Sequence, residues 1–156
     1  MNKDKNISII LPVLNESKNL EYLIPEFTNL LSNNLKVLYE IIVVDDGSTD
    51  GTQATVNNFR KANKNIRLIE RNSPKSLPLS IFDGIKNSKY NSVMWLDADG
   101  SMDVESSKRI IQTYFSENCN AVVGSRFVDG GGYKGKTKEG FSLKIFGNLF
   151  KSEDSL

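Results

Sequence analysis

The sequence contains no histidine and a single cysteine, Cys119. Without imidazole there is no Ser-His-Asp or Cys-His relay and no imidazole general base. One thiol cannot close an internal disulfide or build a thiolate metal cage. Any metal site must therefore use oxygen ligands, which favours Mg²⁺, Mn²⁺ or Ca²⁺. An excess of either charge is also missing: 20 Lys and Arg stand against 19 Asp and Glu, a formal net charge of +1. Such a chain exerts no global pull on nucleic acid or anionic lipid, and nucleic acid is not an expected partner. No apolar run approaches the roughly 20 residues a spanning helix needs. Lys3, Lys5 and the run Ile7–Leu14 have the outline of a signal peptide, but Pro12 interrupts the run and Asn15-Glu16-Ser17 is no small-residue cleavage site. A cytoplasmic protein is the simplest expectation.

What is present suits a soluble globular fold. Of the 156 residues, 38% are hydrophobic and 25% charged, which separates the chain from disordered compositions. A domain of this size buries roughly two thirds of its unfolded surface. Short apolar runs alternate with longer amphipathic stretches. Strands are expected at 7–11, 40–44, 66–69, 92–96 and 121–124, and helices at 18–31, 51–62, 77–87 and 104–115. In the first helix Leu20, Leu23, Ile24, Phe27, Leu30 and Leu31 follow the i, i+3/i+4 rule; Asn15 or Ser17 would cap it, and Pro25 would kink it. The run Glu40–Val44 is apolar on both faces, as buried parallel strands are. Trp95, inside an apolar run, reads as core. Strand–helix alternation at this spacing implies right-handed crossovers and an α/β, mostly parallel sheet with helices on both faces. The expected organisation is a core over 1–128 followed by a Gly- and Lys-rich loop and one amphipathic stretch over 129–156.

In a parallel sheet, ligands bind beyond the carboxyl ends of the strands. Here those ends run into Pro12-Val13-Leu14-Asn15-Glu16, Asp45-Asp46-Gly47-Ser48, Asp97-Ala98-Asp99-Gly100-Ser101 and Ser125-Arg126. Four strand ends are thus expected to bring carboxylates and one guanidinium to one edge. Each piece has two readings. Asp97 and Asp99, two apart at a strand end, either hold a hard cation or satisfy backbone amides and cap a turn. In Asp45-Asp46, one carboxylate takes a ribose hydroxyl or base N–H while the other anchors the loop, or both merely build the turn. Glu16 is a ligand residue or stabilises a helix N-terminus. Arg126 faces a diphosphate or is a solvated surface charge.

Taken in order, the stretches Ile9–Glu16, Ile41–Thr52 and Leu96–Ser101 resemble glycosyltransferase family 2, whose members adopt the Rossmann-like GT-A fold. Val123-Gly124-Ser125-Arg126-Phe127 followed by three glycines is similar to the polyprenyl- and dolichyl-phosphate mannosyltransferase branch, in a chain that is short at its C-terminal side. The resemblance implies that Pro12, Leu14, Glu16, Asp45 and Asp46 hold the nucleotide of a sugar donor, GDP-mannose or a UDP-sugar. Asp97, Ala98 and Asp99 match the acidic metal motif, with Asp99 the direct ligand of Mg²⁺ or Mn²⁺ and Ser101 beside it. Asp99 and Arg126 would be the catalytic pair, Arg126 near the diphosphate. The implied acceptor is a polyprenyl phosphate or a glycan, and the chemistry an inverting transfer. An ionised phosphate acceptor needs no general base, consistent with the absence of histidine. Leu14 stands where an aromatic is common, Ser101 replaces a frequent Gln, and 72–77 lacks the usual glycine-rich donor loop. Peripheral association with the inner membrane face, pairing as a homodimer or with a partner chain, and an inactive nucleotide-sugar-binding remnant are the further expectations. A sugar nucleotidyltransferase would need a Gly- and Arg-rich loop where Pro12–Glu16 stands, and a receiver-like domain a different order of acidic residues and lysine.

Overall fold

A computed structural model describes residues 4–117, 119–125 and 142–144. The chain divides into two compact units, one of Asp4–Val104 and one built from Glu105 onward.

In the first unit β1 (Asn6–Val13), β2 (Leu38–Asp45), β3 (Ile66–Glu70) and β4 (Val93–Trp95) form a wholly parallel sheet in the order β3-β2-β1-β4. Ile9 lies opposite Ile41 and Leu11 opposite Val43. Ile9, Ile10, Leu11 and Ile41 to Val44 are all 0% exposed, so the two central strands are covered on both faces, as the unbroken apolar runs require. Helix α1 (Ser17–Asn29) continues into a π-helical turn, Leu30–Asn34, and leads to β2; α2 (Thr52–Ala62) leads to β3. Both crossovers step the same way across the sheet, so right-handed connections put α1 and α2 on one face, where they touch. The chain then reverses direction from β3 to β4, which sends α3 (Leu77–Lys86) to the other face. There Ile85 joins Ile10, Ile42, Val44, Ile69 and Val93. Gly84 lets α3 approach closely: a Cβ on it would lie 2.5 Å from Ile10 Cγ2. The buried stripe of α1 is Leu20, Leu23, Ile24 and Phe27, with Pro25 inside the helix and facing out.

The second unit contains α4 (Val104–Ser116, its first residue in the other unit), with Ile110 and Ile111 buried and Tyr114 and Phe115 edge to face at 5.3 Å. Two expectations are corrected here. The strand anticipated at 121–124 is β5, Val123–Ser125, and it pairs antiparallel with β6, Ser142–Lys144, in a separate two-stranded sheet. A run of four small and apolar residues carries no signal of direction or partner. Trp95 is 49% exposed rather than core; it ends a three-residue strand that has a partner on one side only among the described residues. Arg126, the glycine- and lysine-rich loop and most of 141–150 lie outside the described residues.

At the amino-terminal end of the sheet sits a buried carboxylate. Glu40, opposite Ser8 in register, accepts the Ser8 hydroxyl at 2.6 Å, the Arg67 guanidinium at 2.7 Å and the Lys89 amide. Burial works against its charge, but these hydrogen bonds and the Arg67 charge outweigh that and hold its pKa below the ordinary 4.5. A lowered native value means that the stabilisation is fully present above pH 4.5 and is lost as pH falls through the native value. Acid titration of unfolding should show this loss, and Glu40→Gln should flatten the acid limb while costing about 1–3 kcal/mol at neutral pH. Gly84→Ala should cost about 1–3 kcal/mol by overpacking, despite alanine's better helix propensity. In a denaturation double-mutant cycle that penalty should shrink in an Ile10→Ala background, where the clashing atoms are gone.

Candidate functional site

The carboxyl ends of β1, β2 and β4 are adjacent in the sheet, and the order reverses beside β1, the place where open α/β sheets bind ligands. The first two connecting loops are joined to each other by hydrogen bonds. Asn15 N–H donates to Ser48 Oγ at 2.8 Å, Glu16 N–H to Thr52 Oγ1 at 3.1 Å and Ser17 N–H to Asp50 Oδ2 at 3.0 Å. In return Thr49 N–H donates to Asn15 Oδ1 at 2.8 Å. The amides of Asn15, Glu16 and Ser17, the last of them the first residue of α1, therefore find acceptors on the β2–α2 loop and the start of α2, and α1 has no side-chain cap of its own. Asp50 also accepts the Thr52 hydroxyl at 2.6 Å and its amide at 3.0 Å. With the Thr52 hydroxyl first among its partners, Asp50 has a pKa below the ordinary carboxylate value. Asn15, Gly47 and Gly51 adopt positive φ, 61°, 83° and 94°, a conformation that asparagine and glycine tolerate best.

Asp45 and Asp46 are both buried, at 0% and 7% exposure, and differ in task. Asp45 Oδ1 accepts the amide and hydroxyl of Ser48, and Oδ2 accepts Gln53 Nε2 at 2.7 Å, so this carboxylate closes its own loop. Asp46 ties its amide to the carbonyl of Val13 at 3.0 Å, joining the ends of β1 and β2. Its carboxylate accepts the Arg71 guanidinium on one oxygen and the Ser76 amide at 2.5 Å on the other. Arg71, with only 3% of its side chain exposed, also donates to Asp83 at 2.8 Å, Ser73 at 2.7 Å and Ser80 at 3.3 Å. Asp83 first, then Asp46, raises its pKa against the opposing effect of burial. The end of β3, the start of α3 and the end of β2 are thus held together through one guanidinium.

At β4 the chain leaves the sheet after Leu96, whose amide still reaches the Ile10 carbonyl at 3.2 Å. Asp97 and Asp99 are exposed while Ala98 between them is 2% exposed. Gly100, at φ 75°, turns the chain so that the Ser101 amide donates to Asp99 Oδ1 at 2.8 Å. Among the described residues no three acidic, histidine or cysteine side chains gather as a cation cage. Two exposed carboxylates with no sulfur or imidazole nonetheless fit a hard divalent ion, one that keeps water and takes its remaining oxygens from a phosphate.

The structure therefore puts Pro12, Leu14, Glu16, Asp45, Asp46, Asp97, Ala98, Asp99 and Ser101 at the end of, or just beyond, three neighbouring strands. Pro12 is buried, Leu14 is 41% exposed and Glu16 is half-buried, accepting Asn19 Nδ2 at 2.6 Å. Arg126 lies outside the described residues. Arg71, Ser76 and Asp83 went unread in the sequence as parts of this edge, and Asp50 was read only as a residue near the start of α2. Arg71 alone left a trace there, as an arginine directly after a strand whose burial would demand carboxylate partners.

The chain matches the family model for glycosyl transferase family 2 over residues 8–154 and belongs to that family. An uncharacterized glycosyltransferase of Synechocystis is 38% identical over 95 residues, 60% of this chain and 29% of that protein. A dolichol-phosphate mannosyltransferase of Pyrococcus furiosus is 30% identical over 125 residues, 80% of this chain and 34% of that one. The chain thus spans about a third of the length of these relatives. Among solved structures, mannosyl-3-phosphoglycerate synthase from Rubrobacter xylanophilus superposes with a TM-score of 0.65 at 19% identity, covering 81% of this chain and 43% of that chain. A mannosyltransferase from Pyrobaculum calidifontis in complex with GDP-Man and Mn²⁺ gives 0.61 at 18% identity, over 74% of this chain and 34% of the other. These likenesses establish the GT-A fold. No helix of the described residues is long and apolar enough to cross a membrane.

The inter-loop bonds make a direct prediction. Thr52 is fully buried and bonds to Asp50 and Glu16, so the isosteric Thr52→Val should cost about 1–3 kcal/mol by leaving polar groups unpaired. A denaturant midpoint that drops at constant slope is the expected result.

Proposed function

We propose that this chain transfers a hexosyl group from a nucleotide-diphosphate sugar, GDP-mannose or a UDP-sugar, to a lipid-phosphate acceptor, with inversion at the anomeric carbon. The observation that carries the reading is the meeting of the β1, β2 and β4 ends at one edge, in a chain of this family. Relatives named for dolichyl-phosphate sugar transfer support the acceptor class. In this reading Pro12, Leu14, Glu16 and Asp46 hold the nucleoside: Leu14 lies against the base, and Asp46 accepts an N–H or a ribose hydroxyl. Asp45 is the anchor that keeps the loop shaped for them. Asp97 and Asp99, with Ser101 beside them, would hold Mg²⁺ or Mn²⁺, whose chemistry is to neutralise charge gathering on the departing diphosphate. Arg126, by the family resemblance, would share that task.

The bond to break joins the anomeric carbon to the diphosphate oxygen, and the bond to form joins that carbon to an acceptor phosphate oxygen. The electron pair of the broken bond leaves with the diphosphate. A phosphate monoester is already ionised at pH 7, so no proton need be removed by a side chain. The acceptor side includes residues outside those described, and association with the membrane face or with a second chain belongs to the same proposal.

UDP or GDP at about 100 times its Kd, with Mn²⁺, should stabilise the fold by roughly 2.7 kcal/mol, a rise in Tm of about 5 °C or more. Asp99→Ala should remove the Mn²⁺-dependent part of that rise. A shift that survives the substitution unchanged would contradict the metal assignment. Formation of a lipid-linked sugar from polyprenyl phosphate and the stabilising donor is the check on transfer itself.

A further inference from the structure

The candidate site is rich in carboxylates, whereas the ligand assigned to it is an anion. Asp45, Asp46, Asp50, Asp97, Asp99 and Glu16 all lie on or near this edge, and like charges so placed disfavour an incoming diphosphate. Besides a metal ion and Arg126, a cation from the loops at this edge would offset that repulsion. Arg71 does not supply it: its guanidinium is spent on Asp46, Asp83, Ser73 and Ser80 and has 3% side-chain exposure.

Lys75 is placed to do so. It precedes Ser76, whose amide is bonded to Asp46 Oδ2 at 2.5 Å, so the backbone at 75–76 is fixed against the end of β2. Its aliphatic stem lies over the Asp45-Asp46-Gly47-Ser48 turn, with Cε 3.8 Å from the point a Cβ on Gly47 would occupy. Gly47, at φ 83°, presents no side chain there. Lys75 is exposed, and among the described residues no carboxylate, hydroxyl or carbonyl takes its ammonium group. A lysine whose Cε approaches Gly47 and whose ammonium has no partner among the described residues keeps its donors available for a ligand oxygen. Three rotatable N–H groups on a flexible stem suit a phosphate or a base carbonyl equally well.

We propose that Lys75 is a donor-binding residue, its ammonium contacting an oxygen of the nucleotide of the sugar donor. The inference rests on the nucleotide-sugar reading above and adds to it a residue outside the stretches Ile9–Glu16, Ile41–Thr52 and Leu96–Ser101.

The test is calorimetric titration of the full chain and of Lys75→Ala, Lys75→Gln and Lys75→Arg with UDP and GDP in the presence of Mg²⁺, repeated with UMP and uridine. Because Lys75 is exposed and has no partner among the described residues, Tm without ligand should be the same in all four proteins. Loss of one charge-assisted hydrogen bond should raise Kd about 10-fold or more in the Ala and Gln variants, and Arg should restore most of it. A loss confined to UDP and GDP puts the contact on the diphosphate, and an equal loss with UMP and uridine puts it on the base or ribose; both results support the proposal. Wild-type binding retained in Lys75→Ala and Lys75→Gln would overturn it while leaving the nucleotide-sugar reading intact. Failure of the unsubstituted chain to bind any of these nucleotides would overturn both.

Discussion

The amides of Asn15, Glu16 and Ser17, which lead the chain from β1 into the first helix, bond outside their own segment. They are satisfied from across the sheet edge by Ser48, Thr52 and Asp50, and Asn15 answers by accepting the amide of Thr49. This exchange is what makes one surface out of two loops 33 or more residues apart. An amide left unpaired is costly where water is excluded, as at the part-buried bond from Glu16 to the fully buried Thr52, so the two loops are coupled most firmly there. Asp45 then locks the second loop from within, and Asp46, through Arg71 and Ser76, fastens it to the third strand and third helix. The edge of the sheet is accordingly held by polar bonds, whereas the sheet behind it is held by packing of Ile, Leu and Val.

That division explains which parts were legible in the sequence. The central strands could be read because burial on both faces leaves an unbroken apolar run, as in Ile41 to Val44, and α1 because its buried stripe repeats at helical spacing. The convergence of Asp46 with Asp97 and Asp99 on one edge followed from the rule that parallel strands deliver their carboxyl ends together. Other features had no local signal. Asn15 and Ser17 looked like caps for α1, yet the acceptors come from residues 48–52, a choice that depends on how β1 and β2 pair. Trp95 has the composition of core, but exposure is decided by how many neighbours its strand has. Val123–Ser125 carries nothing that distinguishes a parallel from an antiparallel partner. Arg71 needed the fold to show that Asp46 and Asp83 stand on either side of it.

The electrostatics of the edge tie fold to function. Carboxylates that brace loops are already occupied by protein donors, as Asp45 and Asp50 are. Asp97 and Asp99 are exposed, although Asp99 also accepts the Ser101 amide, an arrangement suited to a cation that arrives with its ligand rather than one that stabilises the fold. The far end of the sheet holds the contrasting case: Glu40 is buried and shared among Ser8, Arg67 and the Lys89 amide. Membership of glycosyl transferase family 2 places these features in a common frame, and Lys75 stands at the point where this chain's own residues answer the negative charge of the edge.

The most direct measurement is an amide NMR titration of the isotopically labelled chain with UDP or GDP and Mg²⁺. If the edge built by the paired loops is the ligand site, the shifted resonances will concentrate at 13–16, 45–50, 75–76 and 97–101. Shifts gathered instead around Glu40, Arg67 and Lys89, or spread without pattern over the sheet, would contradict the account.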